Sequence, residues 1–320
     1  MLNGIKSKAL LTGIMAVSIL ISGCGVKKDS DDKVMLVIDE SITEVTSNGK
    51  ESLLDIRDNG ATYWQYDQAN KLLISSSWGT NVSIHNMETG AETVIGFPEI
   101  SGRYDEIEYE GKTMVARNAW YEEGKVSIYA EDPDDHTLVV FTFDCETEEL
   151  EDSACYDIES PDFVRDTGNF LVYVKSVYSS PSFLYDLNIY DKTTGEDKTI
   201  ASDIGKLGAG FPLIVLNGDK SKVLFADTTN DAPVLNEYDI SSGEIREVYK
   251  CSKGKYITGF TYALESDKIY LRYGKKFDLA VGYTCLPNYT MVITPDGRNY
   301  DLYYSPTEGY DFNDTGIVVN

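Results

Sequence analysis

The sequence is short of the residues that most often carry out chemistry. Two histidines and five cysteines are spread over 320 residues, and no two cysteines stand in a CxxC spacing. GxSxG elbows, HExxH helices and glycine-rich phosphate loops are absent, which excludes the esterase, zinc-protease and nucleotide-binding classes that local spacing reveals. Basic residues are scarce as well. Lys and Arg total 28 against 53 Asp and Glu, a formal charge of −25, whereas nucleic acid and anionic lipid headgroups need a positive face and are therefore not expected as partners. Long apolar runs are missing too. The longest, Ala9 to Ile21, has about thirteen residues, against the roughly 20 that a membrane-spanning helix needs.

That short run marks the N-terminus. Lys6 and Lys8 precede it, as a charged segment precedes the apolar core of an export signal. It ends in LISGC, with Ile21 three places before Cys24 and the small pair Ser22 and Gly23 between them. The stretch resembles the lipobox of bacterial lipoproteins. That resemblance implies cleavage before Cys24, a diacylglycerol on its thiol, and a protein anchored to the cell membrane and facing outside the cytoplasm. An ordinary secretory signal that happens to hold a cysteine is the alternative. Residues 1–23 are read as the signal peptide, 24–33 as a flexible tether, and 34–320 as one folded domain. Cys145, Cys155, Cys251 and Cys285 match no metal spacing and are expected as thiols or a single bridge.

The rest of the chain repeats itself. VSIHNMETGAETVI (82–95), LVVFTFDCETEELED (138–152), DLNIYDKTTGEDKTI (186–200) and VLNEYDISSGEIREVYK (234–250) share one design. An alternating run ends in a polar residue, a turn follows, and a second alternating run returns. Alternation with period two means strand. Gly90, Gly195 and Gly243 stand where a tight hairpin needs positive φ. The polar residue that ends the first strand gives the series Asp39, Asn86, Asp144, Asp191, Asp239 and Thr294, a spacing of about 50 residues that fits four short strands and their loops. FPLIVLNGDKSKVLFAD, upstream of the fourth copy, completes one unit: strand a near 211–216, b near 222–227, c near 234–239 and d near 245–250.

The stretch NGDKSKVLFADTTNDAPVLNEYDISSGEIREV resembles the blade of TolB-type and WD40-like β-propellers, and the resemblance extends over roughly residues 34 to 304, without the WD dipeptide of the WD40 family proper. It implies an all-β, six-bladed propeller with four antiparallel strands per blade. Five blades fit between about residues 60 and 304. The sixth is expected from both chain ends, strands c and d from 33–45 and strands a and b from 309–320, so that the ring leaves no open edge. Seven blades, drawing on surplus strand-like runs in 100–153, is the alternative.

Propellers of this kind serve as binding platforms, assembly factors and enzymes alike, so function has to be argued from a site. In each blade the a-to-b and c-to-d turns lie on one face and the b-to-c loops on the other. Read as b-to-c loops, SSSWGTN, NAWYEEG, VYSSPSF and GKKFDLAVGY gather Trp78, Trp120, Tyr121, Tyr178, Phe183, Phe277 and Tyr283 on one rim. Exposed rings there suit a sugar face or a peptide side chain; the other reading folds each ring over its own blade. His85 stands where the other copies have Phe143, Tyr190, Tyr238 and Ile293, and is expected to pack rather than to ligate. Asp132, Asp134 and Asp135 in EDPDDH are the candidate ligands for Ca²⁺, the other reading being a solvated turn; no other cofactor is expected. The expected function is noncatalytic binding of a protein, peptide or glycan at the cell envelope. The alternative is a carbohydrate-active hydrolase or lyase using paired carboxylates on the propeller face.

Overall fold

The computed structural model describes residues 32–38, 41–55, 63–77, 79–98, 105–179, 182–205, 214–263, 266–279 and 282–304. Residues 1–31, which hold the expected signal peptide, Cys24 and most of the expected tether, lie outside the described residues, as do Trp78 and residues 309–320. Within them the chain forms six antiparallel sheets. The first holds β1 (Lys33–Ile38), β2 (Ser41–Thr46) and β3 (Gly49–Asp55). The second holds β4 (Tyr63–Asp67), β5 (Leu72–Ser77), β6 (Asn81–Asn86) and β7 (Glu92–Gly96). Five strands make the third: β8 (Glu106–Tyr109), β9 (Lys112–Glu122), β10 (Lys125–Asp132), β11 (Thr137–Asp144) and β12 (Leu150–Tyr156). The fourth holds β13 (Phe163–Asp166), β14 (Phe170–Ser179), β15 (Ser182–Asp191) and β16 (Asp197–Gly205). The fifth holds β17 (Ile214–Leu216), β18 (Lys222–Asp227), β19 (Val234–Asp239) and β20 (Ile245–Lys250). The sixth holds β21 (Lys255–Tyr262), β22 (Ile269–Leu279), β23 (Gly282–Ile293) and β24 (Asn299–Tyr304).

Apolar side chains on both faces of each sheet bind it to its neighbours. Met35, Val37 and Ile42 pack with Trp64 and Leu73, joining the first sheet to the second. Val82 and Ile95 meet Val126 and Phe141, joining the second to the third. One large cluster runs through the third, fourth, fifth and sixth sheets. Tyr270, Val292 and Leu302 of the sixth sheet then return to Val34, Leu36 and Val45 of the first. The sheets therefore close into a six-bladed propeller whose core lies between blades.

The c-to-d turns explain the repeat. Asn86 Oδ1 accepts hydrogen bonds from the amides of Glu88 and Thr89 at 3.0 and 2.9 Å. Asp144 accepts from Glu146 and Thr147, and Asp191 from Thr193 and Thr194, in the same way. Side chains of this type hold a turn by replacing backbone acceptors. The fourth residue after each anchor donates its amide back to the anchor's carbonyl at 2.8 to 2.9 Å and holds positive φ: Gly90, Glu148, Gly195 and Gly243.

Two expectations are corrected by the strand order. In the first sheet β1 is buried from Val34 to Val37 while β3 is largely exposed, so β1, β2 and β3 are strands b, c and d. Thr46, whose hydroxyl oxygen accepts from the Asn48 amide at 3.2 Å, ends strand c there. Residues 33–45 are therefore not a c-to-d hairpin, and Asp39, the expected anchor, lies outside the described residues. The surplus strand in 100–153 is β8, which pairs with the edge of β9 opposite β10. It widens the third blade to five strands and does not start a seventh.

Candidate functional site

Strand a of the second to sixth blades is β4, β9, β13, β17 and β21. On the face formed by the a-to-b and c-to-d turns, the turn face, these strands end around a cavity of about 620 Å³ on the ring axis. Each of these five blades contributes the same place to its wall, the end of strand a or the turn after it. Gln65, Trp120, Arg165, Leu216 and Tyr262 mark the five.

Buried amide side chains set the spacing of the inner strands. Gln65 Nε2 donates to the Tyr121 carbonyl at 3.1 Å, and Gln65 Oε1 accepts from the Tyr121 amide at 3.0 Å. Asn118 makes the same two-way bridge to Val164, donating to its carbonyl at 3.1 Å and accepting from its amide at 2.9 Å. One residue of β4 thus fixes β9, and one residue of β9 fixes β13. Beside the first bridge the Tyr121 hydroxyl donates to Asp67 at 3.1 Å, and Asn70 Nδ2 donates to the same oxygen at 2.7 Å. Burial alone would raise the Asp67 pKa; the hydrogen bonds from Asn70 and Tyr121 outweigh it and hold the carboxyl below its ordinary range. Burial first, and then the Asp67 charge, push Tyr121 up to about 12.

The cavity also gathers cations in a strongly acidic protein. The Arg165 guanidinium lies 3.0 Å from the centroid of the Trp120 ring, and both residues are 6% exposed, a stacked cation–π arrangement. Lys220 Nζ donates to Glu122 at 2.7 Å across 98 residues of sequence. Lys71 and Lys220 stand in the a-to-b turns of the second and fifth blades with φ of 56° and 58°. A left-handed conformation costs a non-glycine residue about 1 kcal/mol, and such strain gathers at ligand-facing positions.

The aromatics expected on one rim are divided between two. Trp120 and Tyr121 lie at the end of β9, next to the a-to-b turn, on the axial cavity. NAWYEEG is therefore an a-to-b turn with its preceding strand. Tyr178 and Phe183 pair with each other at the b-to-c end of β14 and β15, and Phe277 and Tyr283 occupy the b-to-c end of β22 and β23. Trp78 lies outside the described residues. Asp132, Asp134 and Asp135 are at the b-to-c turn of the third blade. There Lys112 Nζ bridges Asp132 and Asp135 at 2.6 and 2.8 Å, and among the described residues no three metal-ligating side chains converge. His85 stands 3.6 Å from Glu92 on the neighbouring strand. Among the described residues Cys145, Cys155 and Cys251 are free thiols.

Gln65, Lys71, Arg165, Lys220 and Tyr262 were not singled out by sequence. The signal available for them is position: Gln65, Arg165 and Tyr262 stand at or near the end of strand a, and Lys71 and Lys220 stand in the a-to-b turns of the second and fifth blades.

No family model matches the chain, and no curated protein matches it by sequence. Solved structures do resemble it in fold. TolB from Acinetobacter baumannii is 14% identical with a TM-score of 0.51, over 96% of this chain and 72% of that one. A putative TolB from Agrobacterium tumefaciens is 9% identical with a TM-score of 0.54, over 85% and 91%. A chain of a nidogen/laminin complex is 9% identical with a TM-score of 0.53, over 90% and 96%. At these identities the likeness shows a shared TolB-like β-propeller architecture.

Proposed function

We propose that the protein is an exported lipoprotein, held at the membrane by a diacylglycerol on Cys24, and that its propeller is a noncatalytic binding platform for a protein, peptide or glycan. The observation that carries the binding role is the axial cavity, with side chains from five blades and two strained lysines at its lip. The lipobox-like LISGC carries the anchor, and the TolB-like fold is compatible with a scaffold of this kind. The rims bearing Tyr178, Phe183, Phe277 and Tyr283 are a second contact surface for a large partner.

Two of the cavity's three acids, Asp67 and Glu122, favour binding over hydrolysis. A glycosidase needs a carboxylic acid with a raised pKa to protonate its leaving group. Asp67 is shifted the opposite way, and Glu122 is engaged by Lys220. A calorimetric screen against envelope glycans and peptides, with turnover measured alongside, tests the reading. Binding without product is expected, and product formation would mean an enzyme. For a ligand so found, Lys71→Glu should weaken binding by at least about 1 kcal/mol, while Asn230→Ala on the opposite face should leave it unchanged.

A further inference from the structure

We propose that the turn face, with the axial cavity, is the face turned toward the membrane. The inference rests on the lipid anchor at Cys24 proposed above, and adds where on the ring that anchor pulls. Asp32, the residue before β1, is 4% exposed. One carboxylate oxygen accepts from Lys268 Nζ at 2.7 Å, and the other accepts from the Tyr300 hydroxyl. Lys268 immediately precedes β22, and Tyr300 is the second residue of β24. Both stand at the turn-face end of the sixth blade, where Tyr262 pairs with Ile269 and Ile293 with Asn299. Farther along β22, Arg272 donates to the Val37 carbonyl at 3.3 Å. β1 therefore runs beside β22 and away from the turn face. Traced backward, the chain leaves the ring at the turn face, and the buried Asp32 carboxylate fastens that exit point.

The tether then limits how the ring can lie. Cys24 is eight residues before Asp32, and eight residues reach at most about 28 Å when fully extended. For the opposite face to meet the bilayer, the tether would first have to pass outward over strands c and d, about 10 Å at the usual strand spacing. It would then have to follow the flank of the ring along a six-residue strand, about 20 Å more, before clearing the loops beyond it. The fully extended tether is too short for that path. Reaching the bilayer from the turn face needs no detour. The acidic turns there, with Asp144, Asp191 and Asp239 as anchors, are not attracted to anionic headgroups, so the ring stands off from the bilayer at tether length. A ligand of the axial cavity enters from that gap.

Energy transfer tests this with full-length lipidated protein in vesicles that carry an acceptor dye on their headgroups. A donor is attached through a genetically encoded ketone side chain at Glu244, in the c-to-d turn of the fifth blade, or at Asn230, in its b-to-c loop. The two sites are about 20 Å apart along the blade. Transfer from position 244 should be at least twofold stronger than from position 230. Inserting about twenty Gly and Ser residues after Asp31, a flexible linker longer than the ring is thick, should bring the two signals together. Equal or reversed transfer in the protein with its natural tether overturns the orientation while leaving the anchor intact. Failure of the protein to partition into vesicles, as expected for Cys24→Ala, sinks the anchor and the orientation together.

Discussion

The Asp239 carboxylate accepts a hydrogen bond from the Ser241 hydroxyl at 2.6 Å and another from the Ser242 amide at 2.9 Å. These bonds, the hydroxyl's first, lower its pKa to about 2. Because the folded value lies below the ordinary 3.8, the turn's contribution is fully present above that value. It is lost as pH falls through about 2. The urea midpoints of wild type and Asp239→Asn should therefore differ most near neutral pH and converge as pH falls from about 4 to about 2. A constant difference across that window would contradict the assignment. Glu148 is the counterpart at positive φ: it holds 61° where three sister turns have glycine. Glu148→Gly removes that strain and should stabilise the protein by about 0.5 to 1 kcal/mol in urea unfolding. The anchors and glycines were legible because turn chemistry is local. The place of Glu148 was not, since nothing in its identity announces a left-handed conformation.

Among the elements, strands b, c and d of the fifth blade lie at 222–227, 234–239 and 245–250, the ranges expected from alternation and turn residues. The third blade departs from the expected strand assignment for a physical reason. β8 supplied an extra alternating run ahead of β9, so counting strands from it moved NAWYEEG from the a-to-b turn to the b-to-c loop. The first blade departs from the expectation because its c-to-d turn uses Thr46 in place of the usual Asp or Asn. The amide bridges between inner strands were invisible to pattern, because Gln65 and Tyr121 are 56 residues apart and Asn118 and Val164 are 46 apart. Asn118→Ala removes two buried hydrogen bonds at once and leaves their backbone partners dry. It should cost about 2 to 4 kcal/mol, read as a lower urea midpoint with an unchanged m-value. A loss under about 0.5 kcal/mol would mean that β9 and β13 are held by packing alone.

At the scale of the whole molecule, the ring was legible because its repeat of about 50 residues recurs five times, and because apolar residues on both sides of each strand require neighbours on both sides. The axial cavity was not, since its wall is assembled from short segments of five separate repeats, far apart in sequence. A ring that collects residues in this way on one face, with its chain leaving from that same face beside Asp32 and Lys268, is suited to work at a surface. Mass spectrometry of the N-terminal peptide of the mature protein, taken from the membrane fraction of its own cell, tests directly whether that surface is a membrane. The expected result is a peptide that begins at Cys24 and carries the mass of a diacylglycerol on its thiol. An unlipidated N-terminus, whether at Met1 or at another cleavage site, would contradict it.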